Sequence, residues 1–230
     1  MKISLITLYS KHNYGALLQK YATYKFLEKS GYNVCLIDYQ PKKYKLNNFK
    51  ALLKDLLIYI RIQKFHCFNK KFFNNKTVKY RKFSDLMRNP PVSDLYIVGS
   101  DQVWNSNLSW NDSMTKKQLN PAFLLDFVKK GSKISFASSI GSDKIKPEEE
   151  VVFKTHLPKF HAISVREESA KNILNNLGIN NVYVVLDPVF LLDKNEYLKI
   201  ANKQKLKKHN YLLIYSAEKN KVLNNISKKI

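Results

Sequence analysis

Continuous apolar runs alternate with helix-length amphipathic segments along this 230-residue chain. "KISLITL" (2–8) predicts a first strand, and "GALLQKYATYKFLEKSGY" (15–32) a helix after a polar loop. In that helix Leu17, Leu18, Tyr21, Tyr24, Phe26 and Leu27 make an apolar stripe, and Gly31 is placed to end it. "NVCLIDY" (33–39) predicts a second strand. Residues 46–70 predict a basic amphipathic helix carrying Leu52, Leu53, Leu56, Leu57 and Ile60 at helical spacing. Further strands are expected at "DLYIVGS" (94–100), "KISFASS" (133–139), "HAISVRE" (161–167), "NVYVVLD" (181–187) and "NYLLIYS" (210–216). Between them, "KPEEEVVFKTHLPKF" and "REESAKNILNNLG" read as helices, the first opening on Pro147 and a run of acids. Strands apolar throughout and separated by helices predict an α/β fold, a Rossmann-like, mostly parallel sheet with helices on both faces. Residues 1–208 would form this domain, and 209–230 the start of a second domain or a last βα unit.

Composition narrows the class. A hydrophobic content of 44% and a charged content of 25% are those of a chain with a large core. No stretch approaches the roughly 20 apolar residues of a membrane span, and the N-terminus lacks the cleavage pattern of a signal peptide. Cys35 and Cys67 stand in no metal or redox spacing, which argues against a disulfide framework and for the cytoplasm. The formal net charge of +22 fits nucleic acid or an anionic membrane surface, but lysines spread along the whole chain favour a Lys-, Asn-, Ile- and Tyr-rich coding bias. In "KFHCFNKKFFNNKTVKYRKF" (64–83) basic and aromatic residues interleave, as single-stranded nucleic acid would use. Aromatics every three to four residues on a lysine-faced helix are more commonly a core face.

Ligands of open α/β sheets sit beyond the carboxyl ends of the strands, so the polar residues there carry the candidate chemistry. In "YSKHNYGALLQ" (9–19), Asn13 and Gly15 mark a helix start that either caps itself or binds an anion. In "GSDQVWN" (99–105), Asp101 and Gln102 suit sugar hydroxyls and Trp104 a stacked ring; a turn with Trp104 in the core is the plainer reading. "SSIG" (138–141) allows close backbone approach. In "SVREESA" (164–170), Arg166 can hold a carboxylate or phosphate through two hydrogen bonds or pair with Glu167 or Glu168, and Ser164 shares its strand face. There is no dinucleotide fingerprint, P-loop, nucleophile elbow or metal-ligand spacing, which leaves a group transferase as the best fit.

The ordered set "NYGALLQ", "GSDQVWN", "ASSIG", "SVREESA" and "LDPVFLL" resembles the polysaccharide pyruvyltransferase family over residues 1 to about 216. The resemblance implies the N-terminal half of a two-domain fold like GT-B glycosyltransferases. It also implies transfer of a pyruvyl group from phosphoenolpyruvate to a sugar hydroxyl pair of a cell-wall or capsular glycan. Arg166, with Ser164, Asn13 and Gly15, would bind the donor; Asp101, Gln102, Trp104 and Asn105 would face the acceptor; Tyr14, Ser100 and Ser138 would line the cleft. "LDPVFLL" would set the crossing into the second domain, with Asp187-Pro188 as a rigid turn. No metal or cofactor is expected, since phosphoenolpyruvate is itself the donor. The other expected partners are a glycan or lipid-linked sugar, a peripheral contact with the inner membrane face through the basic segment 42–82, and no specific nucleic acid. Family members run longer and carry a catalytic His in their second half, which His209 does not match. The chain is therefore expected to be either a truncated or split product, inactive alone unless a partner chain or oligomer completes it, or a one-domain homologue with another role. Two other functions stay open: a glycosyltransferase with a nucleotide-sugar donor, and a non-catalytic basic module binding anionic glycan.

Overall fold

The computed structural model describes residues 1–9, 13–41, 52–108 and 118–201. Six strands, β1 (Lys2–Ile6), β2 (Asn33–Leu36), β3 (Leu95–Val98), β4 (Ser132–Ser138), β5 (Ala162–Val165) and β6 (Val182–Val184), form one sheet in the order β2-β1-β3-β4-β5-β6. Every pairing is parallel. Ile3, Ser4, Leu5 and Ile6 are all buried, so both faces of β1 are covered, as its unbroken apolar run requires. The chain leaves β1 for β2 on one side and returns to β3 on the other. This reversal opens a crevice at the carboxyl ends of β1 and β3. The α/β, Rossmann-like reading therefore holds. "NYLLIYS", His209 and the boundary at 208 lie outside the described residues.

The described helices are α1 (Tyr14–Lys29), α2 (Leu52–Phe72), α3 (Phe83–Arg88), α4 (Pro147–His156), α5 (Glu168–Asn176) and α6 (Lys194–Leu198). Residues Met1–Asp193 make one compact unit. In a second, from Lys194 onward, the described part is α6 and the turn after it, where Lys199 pairs with Glu196 at 2.6 Å. Among the described residues no helix is long and apolar enough to cross a membrane.

Helix α1 is buried nearly all round through its first turns, at Ala16, Leu17 and Gln19 to Tyr24. Gly31, at φ +84°, turns the chain away after it, as expected. Phe26, counted in the predicted stripe, lies beyond this covered stretch and is exposed. Aromatic rings of α2 pack on α1: Phe65 lies 4.9 Å from Tyr14, and Phe68 and Phe72 lie 5.6 and 5.4 Å from Tyr21. The rings of the basic-aromatic segment thus face the protein, as the core-face reading has it. Of the leucine stripe expected in α2, the side chains of Leu52, Leu53, Leu56 and Leu57 lie outside the described set, and Ile60 is exposed. Residues 75–80 run beside β2 and cover that sheet edge, Asn75 O accepting from Leu36 N and Leu36 O from Thr77 N.

Strand β4 bulges between Ser135 and Ser138, and Ala137 takes a left-handed φ of 52° there. Ser164 of β5 holds the bulge: its hydroxyl donates to Ser135 O at 2.9 Å and accepts from Ala137 N–H at 3.1 Å. Ser135 answers, donating its hydroxyl to Ser164 O and accepting from Ser164 N–H, both at 3.0 Å. Replacing Ser164 by Ala orphans the amide of buried Ala137. The expected loss is about 1–3 kcal/mol, read as a lower urea midpoint at unchanged slope.

Candidate functional site

The loops after β3, β5 and β6 meet the start of α1 around a cavity of about 310 Å³. Asn13, Gly15, Gln19, Asp101, Arg166 and Asp187 line it. Four of these, Asn13, Gly15, Asp101 and Arg166, are residues that the sequence nominates.

Asn13 caps α1, its Oδ1 accepting from Ala16 N–H at 3.2 Å, while Leu17 N–H goes to Asn13 O. The cap and the helix dipole thus present a positive end to the cavity. Gln19 is 2% exposed. Its Nε2 donates to Thr7 Oγ1 and Ala16 O, and Thr7 donates in turn to Ser100 O, which links α1, β1 and the end of β3. Its Oε1 is buried and accepts from no group among the described residues. Such an acceptor has a use for a ligand hydroxyl.

Arg166 closes β5. Its Nη1 donates to Asp187 Oδ2 and its Nε to Glu167 Oε1, both at 3.1 Å. Burial works against its charge, but the hydrogen bonds and charges of Asp187 and Glu167 prevail and raise its pKa. Asp187 also accepts from Ser100 Oγ at 3.4 Å, and its Oδ1 caps the 3-10 turn Pro188–Leu191 through Val189 N–H. That turn packs against α1. Nη2 of Arg166 has no partner among the described residues, so one face of the guanidinium stays open to an anion.

Asp101 sits at φ +87°, a left-handed conformation that Asp and Asn tolerate better than most residues. Its carbonyl accepts from both Val103 N–H and Ser139 N–H, which pins "GSDQVWN" to "SSIG" as an extension of the sheet. Its Oδ1 accepts from Gln102 N–H at 2.8 Å. Burial pushes the Asp101 pKa up; the Gln102 hydrogen bond and the Arg166 charge pull it down without prevailing, and Asp187 adds to the rise.

The remaining nominated residues fall elsewhere. Trp104, expected to stack on a ligand, is 1% exposed, donates Nε1–H to Phe123 O and meets the Phe153 ring edge-on at 6.0 Å. It belongs to the core. Gln102 and Asn105 bond each other over Gly141, where a side chain would come within 2.7 Å of the Gln102 amide. Ser138 is fully buried between strands, and Ser100 lies beneath the cavity as a partner of Asp187. Tyr14 is exposed and stacks on Phe65, and the Ser164 hydroxyl is spent on the β4 bulge. Sequence reasoning missed Gln19 and treated Asp187 only as a turn; the Asp-Pro capping signal in "LDPVFLL" was the available clue.

The profile of the polysaccharide pyruvyl transferase family matches residues 13–229. No curated protein matches the chain.

A carboxyl whose folded-state pKa is raised binds its proton more tightly folded than unfolded. Its contribution to stability therefore falls as pH rises from the ordinary carboxylate value through the folded value. Asp101→Asn keeps the Oδ1 acceptor and the left-handed backbone but removes the buried charge. Its Tm is expected to equal or exceed that of the parent at pH 7, with the difference shrinking toward pH 3. Thermal melts across that range check it.

Proposed function

The chain belongs to the polysaccharide pyruvyl transferase family, and we propose that it binds phosphoenolpyruvate at Arg166 for transfer of the pyruvyl group to a sugar hydroxyl pair in cell-surface polysaccharide synthesis. The observation that carries this reading is the half-engaged guanidinium of Arg166. It is held in place by Asp187 and Glu167, it keeps Nη2 open, and it shares one cavity with the α1 N-terminus. A donor with a carboxylate and a phosphate needs such groups.

In the reaction so read, a general acid gives a proton to the methylene carbon of the donor and one sugar oxygen bonds its central carbon. A second sugar oxygen then displaces phosphate and closes the ketal. One hydroxyl proton goes to a base and the other departs with phosphate. Asp101 is suited to the base, because burial makes its carboxylate more basic than usual. Gln19 Oε1 is placed to accept from an acceptor hydroxyl. The protein would work in the cytoplasm, with the basic segment 42–82 against the inner membrane face.

Saturation-transfer NMR with phosphoenolpyruvate tests the assignment. Arg166→Ala is expected to weaken binding about tenfold or more, the worth of one charge-assisted pair. Arg166→Lys should recover only part of it, because an ammonium lacks the planar fork. Binding of a UDP-sugar alone, unaffected by Arg166→Ala, would favour a glycosyltransferase and overturn this reading.

A further inference from the structure

A second crevice lies on the other flank of α1. There the ends of β1 and β2 meet α2 and residues 76–79 around a cavity of about 300 Å³. It shares no lining residue with the Arg166 cavity; Gln19 lines one and the next residue, Lys20, the other.

Lys20 is 4% exposed. Its Nζ donates to Asn69 Oδ1 at 2.8 Å and lies 4.8 Å from the centre of the Phe73 ring. Neither partner is an anion, and no carboxylate among the described residues is within ion-pair distance. Asp38, the one acidic residue among the described residues lining the cavity, accepts from Gln40 Nε2. Burial pushes the Lys20 pKa down to about 8, and the attraction of Asp38 offsets this only in part. The rim carries His66, Lys70, Lys76 and Lys79, all exposed. A buried ammonium held for packing alone would be matched by a carboxylate or replaced by an apolar chain, since desolvation costs several kcal/mol. Here a buried cation lies under a ring of lysines with a cavity between them.

We propose that this cavity binds a small phosphate-bearing molecule, its phosphate or diphosphate oxygens received by Lys20 at the floor and by Lys70, Lys76 and Lys79 at the rim. The excess of cations over Asp38 calls for a ligand of more than one negative charge. The cavity is at the lower end of ligand-pocket size, and its key cation is recessed, which suits a compact ligand better than a polymer lying across the surface.

Isothermal titration of the whole chain with inorganic phosphate and inorganic pyrophosphate, at low and at physiological salt, tests this. Saturable binding is expected, tighter for pyrophosphate. Lys20→Met should weaken it about tenfold or more while leaving helix content unchanged, because Met is a good helix former of similar length. Lys76→Gln, at an exposed position, should weaken it by a smaller factor, and Lys144→Gln, exposed and outside both cavities, should leave it unchanged. Unaltered binding in Lys20→Met would overturn the proposal. So would binding lost in Arg166→Ala but kept in Lys20→Met, or uptake that is never saturable and merely tracks salt as the net charge would dictate.

Discussion

The pairing of Arg166 with Asp187 holds the candidate site together. Asp187 is one side chain with four connections: the guanidinium at the end of β5, the Ser100 hydroxyl at the end of β3, the Val189 amide, and through that capped turn the flank of α1. A parallel sheet sends all its carboxyl ends to one edge, but does not fix their loops against each other. Here a single half-buried carboxylate does so. With Glu167 on Nε, it also sets the plane of the guanidinium and decides which of its edges is left for a ligand.

The same carboxylates limit what the site can accept. Arg166 is largely compensated, which is why its charge fails to offset the burial of Asp101, whose pKa stays raised. An anion arriving there relies on the open edge of the guanidinium and the α1 amides, and benefits whenever Asp101 takes up a proton. The crevice across α1 has the opposite balance, with Lys20 and the rim cations facing one engaged carboxylate. One helix thus divides a cavity where carboxylates compensate Arg166 from one where cations outnumber the acid.

Much of this was legible from the residues. The apolar runs marked six of the strands and the polar residues after them marked the sheet edge, because a strand covered on both faces cannot hide its period. Asn13 stood between a helix cap and an anion site; the cap bond forms, since Asn before "YGALLQ" satisfies an amide whatever the tertiary fold. For Trp104 the plainer core reading holds and the ligand-facing one implied by the resemblance does not, because its place depends on Phe123 O, 19 positions away, and on Phe153. Ser164 was expected beside Arg166 at a ligand, but its hydroxyl answers to a bulge that no periodicity reveals. Nothing in the sequence marks Lys20, and the packing of α2 over α1 buries it. Loop and helix side chains are directed by distant partners, which is where reading a single sequence stops.

The central claim is that the edge where Asn13, Asp101 and Arg166 converge receives the donor. Titrating ¹⁵N-labelled protein with phosphoenolpyruvate, while following the Gly15 and Asp101 amides and the Arg166 Nε–H, tests it most directly. The account predicts saturable shifts at all three with one common Kd, and little change at Trp104 Nε1–H, which stays bonded to Phe123 O. Saturable shifts confined to other residues, with these three unmoved, would contradict it.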